Sequence, residues 1–121
     1  MEEFPREELE QAIKTFRSSI SKCEKARTKL KDGSPQKKWV DRQLRAYSMT
    51  VPLIENALGE ERKKAQYTQP ERQDAAETYT LLIGMCEKLL MKFRDGSPQK
   101  TLALRRLNAF RTAAALITRE S

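Results

Sequence analysis

Apolar residues in this chain recur at alternating steps of four and three. Leu9, Ile13, Phe16, Ile20, Cys23 and Leu30 follow that rhythm, with Arg27 interrupting it, and Ala76, Tyr79, Ile83, Cys86, Leu90 and Phe93 repeat it later. Two further stretches carry Val40, Leu44, Tyr47, Val51, Ile54 and Leu58, then Ala103, Leu107, Phe110, Ala114 and Ile117. Such spacing lays one apolar stripe along a helix, ready to bury against neighbours. Four amphipathic helices are predicted, each of roughly 22–26 residues and about 35 Å long at the helical rise.

The chain is also self-similar. The hexapeptide DGSPQK occurs at Asp32–Lys37 and again at Asp95–Lys100, an offset of 63 residues. That offset pairs residues 9–58 with 72–121 without a gap and gives 18 identities in 50 pairs, among them Cys23/Cys86, Leu44/Leu107 and Leu53/Leu116. The expected architecture is therefore all-α: a four-helix up-down-up-down bundle built from two duplicated helical hairpins. It forms a single domain, with repeat 1 over about 6–58, a linker over about 59–69 and repeat 2 over about 70–121.

The repeated hexapeptide reads as the hairpin turn. Gly33 and Gly96 are placed to stop one helix in the left-handed conformation, and Ser34 and Ser97 to cap the next. Pro35 and Pro98 then occupy the first helical position, where a missing N–H costs nothing. In the polar connection from Gly59 to Pro70, Thr68 or Gln69 is the expected cap of the third helix. Pro52 interrupts the hydrogen bonding of helix 2, but its offset partner is Ala115, so the helix is expected to bend there and continue.

Composition narrows the chemistry. The 121 residues contain no histidine, which removes the commonest general base and transition-metal ligand. No Cys-x-x-Cys, Walker-type loop or Gly-x-Gly-x-x-Gly is present. Cys23 and Cys86 are expected as small buried thiols without a disulfide, because diagonal helices lie too far apart to be bridged. The acids Glu7, Glu8, Glu10 and Glu71, Asp74, Glu77 cluster near helix starts, where they complement the helix dipole. A non-enzyme without cofactor or metal is expected. No apolar run approaches the roughly 20 residues that span a bilayer, and the start is acidic, so a cytoplasmic protein with no membrane partner is expected.

Two features stand above this background. The first is charge: the net charge is +7, and residues 22–45 and 85–108, around the two turns, sum to +10 against −3 elsewhere. Lys37, Lys38, Lys100, Arg105 and Arg106 are the candidate contacts for nucleic acid or another polyanion. The second is a spare apolar row. Trp39, Ala46 and Leu53 on helix 2, and Leu102, Ala109 and Leu116 on helix 4, recur every seven residues. They lie about 160° from the core stripe. Leu81 and Met85 add to the back of helix 3. In a bundle with one core these residues stay exposed and mark an interface. The leading expectation is a helical interaction protein, a homodimer or the partner of another helical protein, associating through the outer faces of helices 2 and 4. Polyanion binding at the basic end is the alternative.

Overall fold

The computed structural model describes residues 4–59 and 67–119, and these contain four α-helices and no strand. The helices are α1 (Arg6–Arg27), α2 (Pro35–Ala57), α3 (Gln69–Lys92) and α4 (Pro98–Arg119). Residues 60–66 of the predicted linker lie outside the described residues.

Local chemistry fixes the helix starts. Ser34 Oγ accepts a hydrogen bond from Lys37 N at 3.2 Å, and Ser97 Oγ accepts one from Lys100 N at 3.1 Å. Thr68 Oγ1 accepts from Glu71 N at 3.2 Å while the Glu71 carboxylate accepts from Thr68 N at 2.8 Å, a reciprocal cap. The helix ends depart from expectation. α1 stops at Arg27, well before Gly33. There Thr28 Oγ1 donates to the Lys25 carbonyl at 2.7 Å, and Lys29 N and Leu30 N reach carbonyls three residues back. Such tightening satisfies the last carbonyls and closes the helix early. Gly33 (φ 79°) and Gly96 (φ 81°) instead occupy the turns Lys31–Ser34 and Arg94–Ser97, where their positive φ would strain any other residue. α2 continues through Pro52 to Ala57.

Sequence neighbours pack side by side, and α4 returns against α1. Arg17–Glu55 (3.0 Å) and Arg27–Asp41 (2.7 Å) tie α1 to α2 in antiparallel register, as Arg111–Glu87 (3.1 Å) ties α4 to α3. Across the bundle α2 touches α4, but α1 and α3 share no backbone contact. Their diagonal is bridged by side chains. Phe16, Tyr47, Tyr79 and Phe110, one from each helix, meet at the centre with ring centroids 5.5–6.3 Å apart. Tyr79 carries its hydroxyl into this core, where it lies 2.6 Å from Thr50 Oγ1 and 3.2 Å from the Ala46 carbonyl. Thr50 Oγ1 also reaches that carbonyl at 2.8 Å, so both buried hydroxyls are satisfied.

The short α2–α4 diagonal overturns the expectation of a spare exposed row. Ala46 is 1% exposed, Ala109 2%, Leu116 4% and Leu53 9%, all inside the one chain. α2 and α4 each contact three helices, whereas α1 and α3 contact two. Both sides of the inner pair are therefore covered, and a 3.6-residue period read one helix at a time does not reveal it. Ala46 shares a crevice with Ala75 of α3, and Ala109 shares one with Ala12 of α1. Small residues at these seams let the two hairpins approach closely. Trp39 is half-buried and packs against the core.

Candidate functional site

The candidate anion-binding residues Lys37 and Lys100 sit at the two hairpin turns. Lys37 Nζ forms an ion pair with Asp32, and Lys100 Nζ forms one with Asp95. Each pair lies within its own hexapeptide. The lysine hydrogen bond, reinforced by its charge, holds each aspartate below the usual carboxylate range. A cation at a helix N-terminus is unfavourable alone. Here the turn supplies its counter-ion, so Lys37 and Lys100 are already accounted for.

The other expected contacts do not gather at the turns. Lys38 is exposed on the first turn of α2. Arg105 and Arg106 lie along α4 and, with Lys14 and Lys22 of α1, line a groove of about 190 Å³ between the two helices. None of these four cations forms an ion pair among the described residues. Ser18, Ser19, Thr15 and Gln11 complete the polar lining, and Leu102 is its apolar member. No carboxylate lines this stretch; Glu8 enters only in the crevice that continues the groove past Arg105.

Ser19, Lys22 and Arg106 also line a second space, a cavity of about 240 Å³ to which all four helices contribute. Leu82, Met85, Leu89, Tyr47 and Phe110 make it mainly apolar, and both cysteines border it. The thiols are free, and burial raises both. Burial also pushes the Tyr47 hydroxyl well up, while it donates to Gln43 Oε1 at 3.0 Å. The positive charge of Arg106 works against burial at Tyr47 and at Cys86, which places the guanidinium beside this cavity.

Lys14, Lys22 and Gln11 were not singled out by the sequence. A signal for them exists in the internal offset. Arg105 matches Arg42, and Arg42 is paired with Asp74 (3.1 Å) and Glu77 (3.6 Å) across the α2/α3 seam. The residues 63 positions before those acids are Gln11 and Lys14. One groove neutralises its arginine; at its counterpart the two offset positions hold an amide and a lysine in place of carboxylates.

Of the predicted interface residues, Leu81 (49% exposed), Met85 (50%) and Leu102 (47%) do stand on the surface. Leu89, Met91 and Leu104 join them, so the six exposed large apolar residues among the described ones all belong to α3 and α4.

No group of three or more His, Cys, Asp or Glu among the described residues could hold a metal ion. The hydroxyl pair of Thr50 and Tyr79 is sealed in the core at 0% exposure. No described helix is long and apolar enough to cross a membrane. No protein-family model, curated protein or solved structure matches the chain.

Proposed function

We propose that this chain is a non-enzymatic helical interaction protein that self-associates through the outer face of α3, with its two halves descended from one duplicated hairpin. The observation that carries this is the one-sided distribution of exposed apolar residues. Leu81, Met85 and Leu89 form a line at steps of four down α3. The residues 63 positions earlier are Ser18, Lys22 and Ala26, so the matching face of α1 is polar or small. Gly84 sits within the line, and a Cβ placed on it would meet only open space. No contact among the described residues requires that glycine, which costs a helix about 0.5–1 kcal/mol relative to alanine. A second helix laid against the face gives it a use.

A second copy of α3, antiparallel to the first, suits this surface. Glu77 flanks the apolar line at one end and Lys88 and Lys92 flank it at the other. Antiparallel pairing sets acid against base at both ends and makes a self-complementary, two-fold contact. This face replaces the α2/α4 row, which the fold buries within one chain.

The test is solution mass. At tens of micromolar the protein should run at twice its 14.0 kDa mass. Leu81→Glu/Met85→Glu should return it to a monomer with unchanged helical circular dichroism. A monomeric parent protein, or a double variant that remains dimeric, refutes the proposal.

A further inference from the structure

We propose that the α1/α4 groove and the cavity beside it are one binding site for a small amphiphile, an anionic head on an apolar body. The two spaces are neighbours that share Ser19, Lys22 and Arg106 in their linings. Their volumes, about 190 and 240 Å³, together reach the lower part of the ~300–1,000 Å³ range typical of small-molecule sites. The division of labour between them sets the ligand class. The groove presents Lys14, Lys22, Arg105 and Arg106 with no carboxylate in its lining. The cavity presents Leu82, Met85, Leu89 and Phe110. Arg106 stands where the two meet.

Other exposed cations, Lys38 and Arg45 among them, also lack an ion pair among the described residues; what distinguishes Lys14, Lys22, Arg105 and Arg106 is that the four line one groove whose lining holds no carboxylate. Arg17, Arg27, Arg42 and Arg111 each reach an acid on a neighbouring helix. The groove related by the 63-residue offset shows what a self-sufficient version looks like, because Arg42 there holds Asp74 and Glu77. At α1/α4 those acids are Gln11 and Lys14, so the groove repels cations and attracts anions. A like-signed cluster attracts an anionic head group, and the mainly apolar lining beside it gives a tail apolar surface to cover. A bare anion would use only the groove, and a neutral alkane only the cavity.

The experiment is calorimetric titration of the full chain with decyl phosphate below its micelle concentration, with decanoate, decanol and inorganic phosphate alongside. One molecule of decyl phosphate or decanoate should bind per chain, and the tighter of the two names the head group. Decanol and inorganic phosphate should each bind about tenfold more weakly or worse. Arg106→Gln should weaken the amphiphile about tenfold. Because Arg106 is half-buried, the exposed Lys22→Gln serves as a second variant and should weaken it in the same direction. Bound amphiphile should also slow alkylation of Cys23 and Cys86. Met85 and Leu89 border both the cavity and the α3 face, so the two losses are separated by the variants that leave α3 intact: Arg106→Gln and Lys22→Gln should weaken the amphiphile while the solution mass stays that of the parent. The assignment is overturned if neither amphiphile binds, if decanol binds as well as decyl phosphate, or if both variants bind like the parent. It is also overturned if a single-stranded oligonucleotide binds more tightly than either amphiphile and Arg106→Gln abolishes that binding, since the cations would then serve a nucleic-acid backbone.

Discussion

The α2/α3 and α1/α4 seams occupy matching positions in the two halves of the chain, yet they solve opposite problems. At α2/α3 the surface arginine Arg42 is met by Asp74 and Glu77, and the interior carries the Thr50–Tyr79 hydroxyl pair on the Ala46 carbonyl. At α1/α4 the matching arginine, Arg105, forms no ion pair among the described residues, and the residues matching Thr50 and Tyr79 are Ala113 and Phe16. Both of these are fully buried. One seam is closed on itself, polar within and neutralised without. The other is greasy within and carries uncompensated charge without. A helix pair needs neither device to pack, since the apolar version is as well buried. The unpaired charge at α1/α4 is surplus to the packing of the two helices.

The largest effect expected from breaking this comparison lies in the core. Thr50→Ala or Tyr79→Phe alone should each cost about 1–2 kcal/mol in urea unfolding, because each breaks the buried hydroxyl pair. The double variant makes the α2/α3 interior a copy of the α1/α4 one. Replacing both polar partners by apolar groups is far better tolerated than removing one, so its cost should fall short of the sum by about 1 kcal/mol. Strict additivity of the two losses would show that the hydroxyls do not act as a pair.

Next in size is the surface. Arg42→Gln should destabilise by about 0.2–1 kcal/mol, an effect reduced by salt, since its partners are substantially exposed. Arg105→Gln should cost nothing or stabilise slightly, because it removes a repulsive neighbour of Lys14 and Arg106. Equal losses for the two arginines in low-salt melts would contradict the contrast between the seams.

Much of this was legible in the residues themselves, for identifiable reasons. Helix positions and caps follow from local spacing and local hydrogen bonds, so Ser34 and the four stripes could be read directly and the third cap narrowed to Thr68 or Gln69, of which Thr68 caps the helix. The burial of Ala46, Leu53, Ala109 and Leu116 could not. Which diagonal of a four-helix bundle closes depends on all the helices at once, and no single helix carries that information. The exchange of Asp74 and Glu77 for Gln11 and Lys14 stood in the sequence throughout. It acquires meaning only when α1 is known to lie against α4. The fate of Lys37 and Lys100 shows a third limit: a net count of charge around the turns does not reveal that each lysine is held by the aspartate of its own hexapeptide.

That pairing gives the smallest of the expected effects, and the one that tests the turns alone. The folded-state values of Asp32 and Asp95 are depressed by their lysines. Their contribution is therefore fully present above the unfolded aspartate value of about 3.9, and it is lost as pH falls through the depressed folded values. Both carboxylates are exposed, so the contribution is small and screened by salt. Asp41, held down by Arg27, adds to the same acid-side slope. Asp32→Asn/Asp95→Asn should lower the melting temperature slightly at neutral pH. It should also make the decline of that temperature below about pH 4 shallower than in the parent. Lys37 and Lys100 would at the same time be released from their partners, so the variant is also the direct test of what the turns could bind. If inorganic phosphate stabilises the variant and not the parent, the aspartates are the built-in occupants of two anion sites at the helix starts. If it stabilises neither, the lysines serve the turns only.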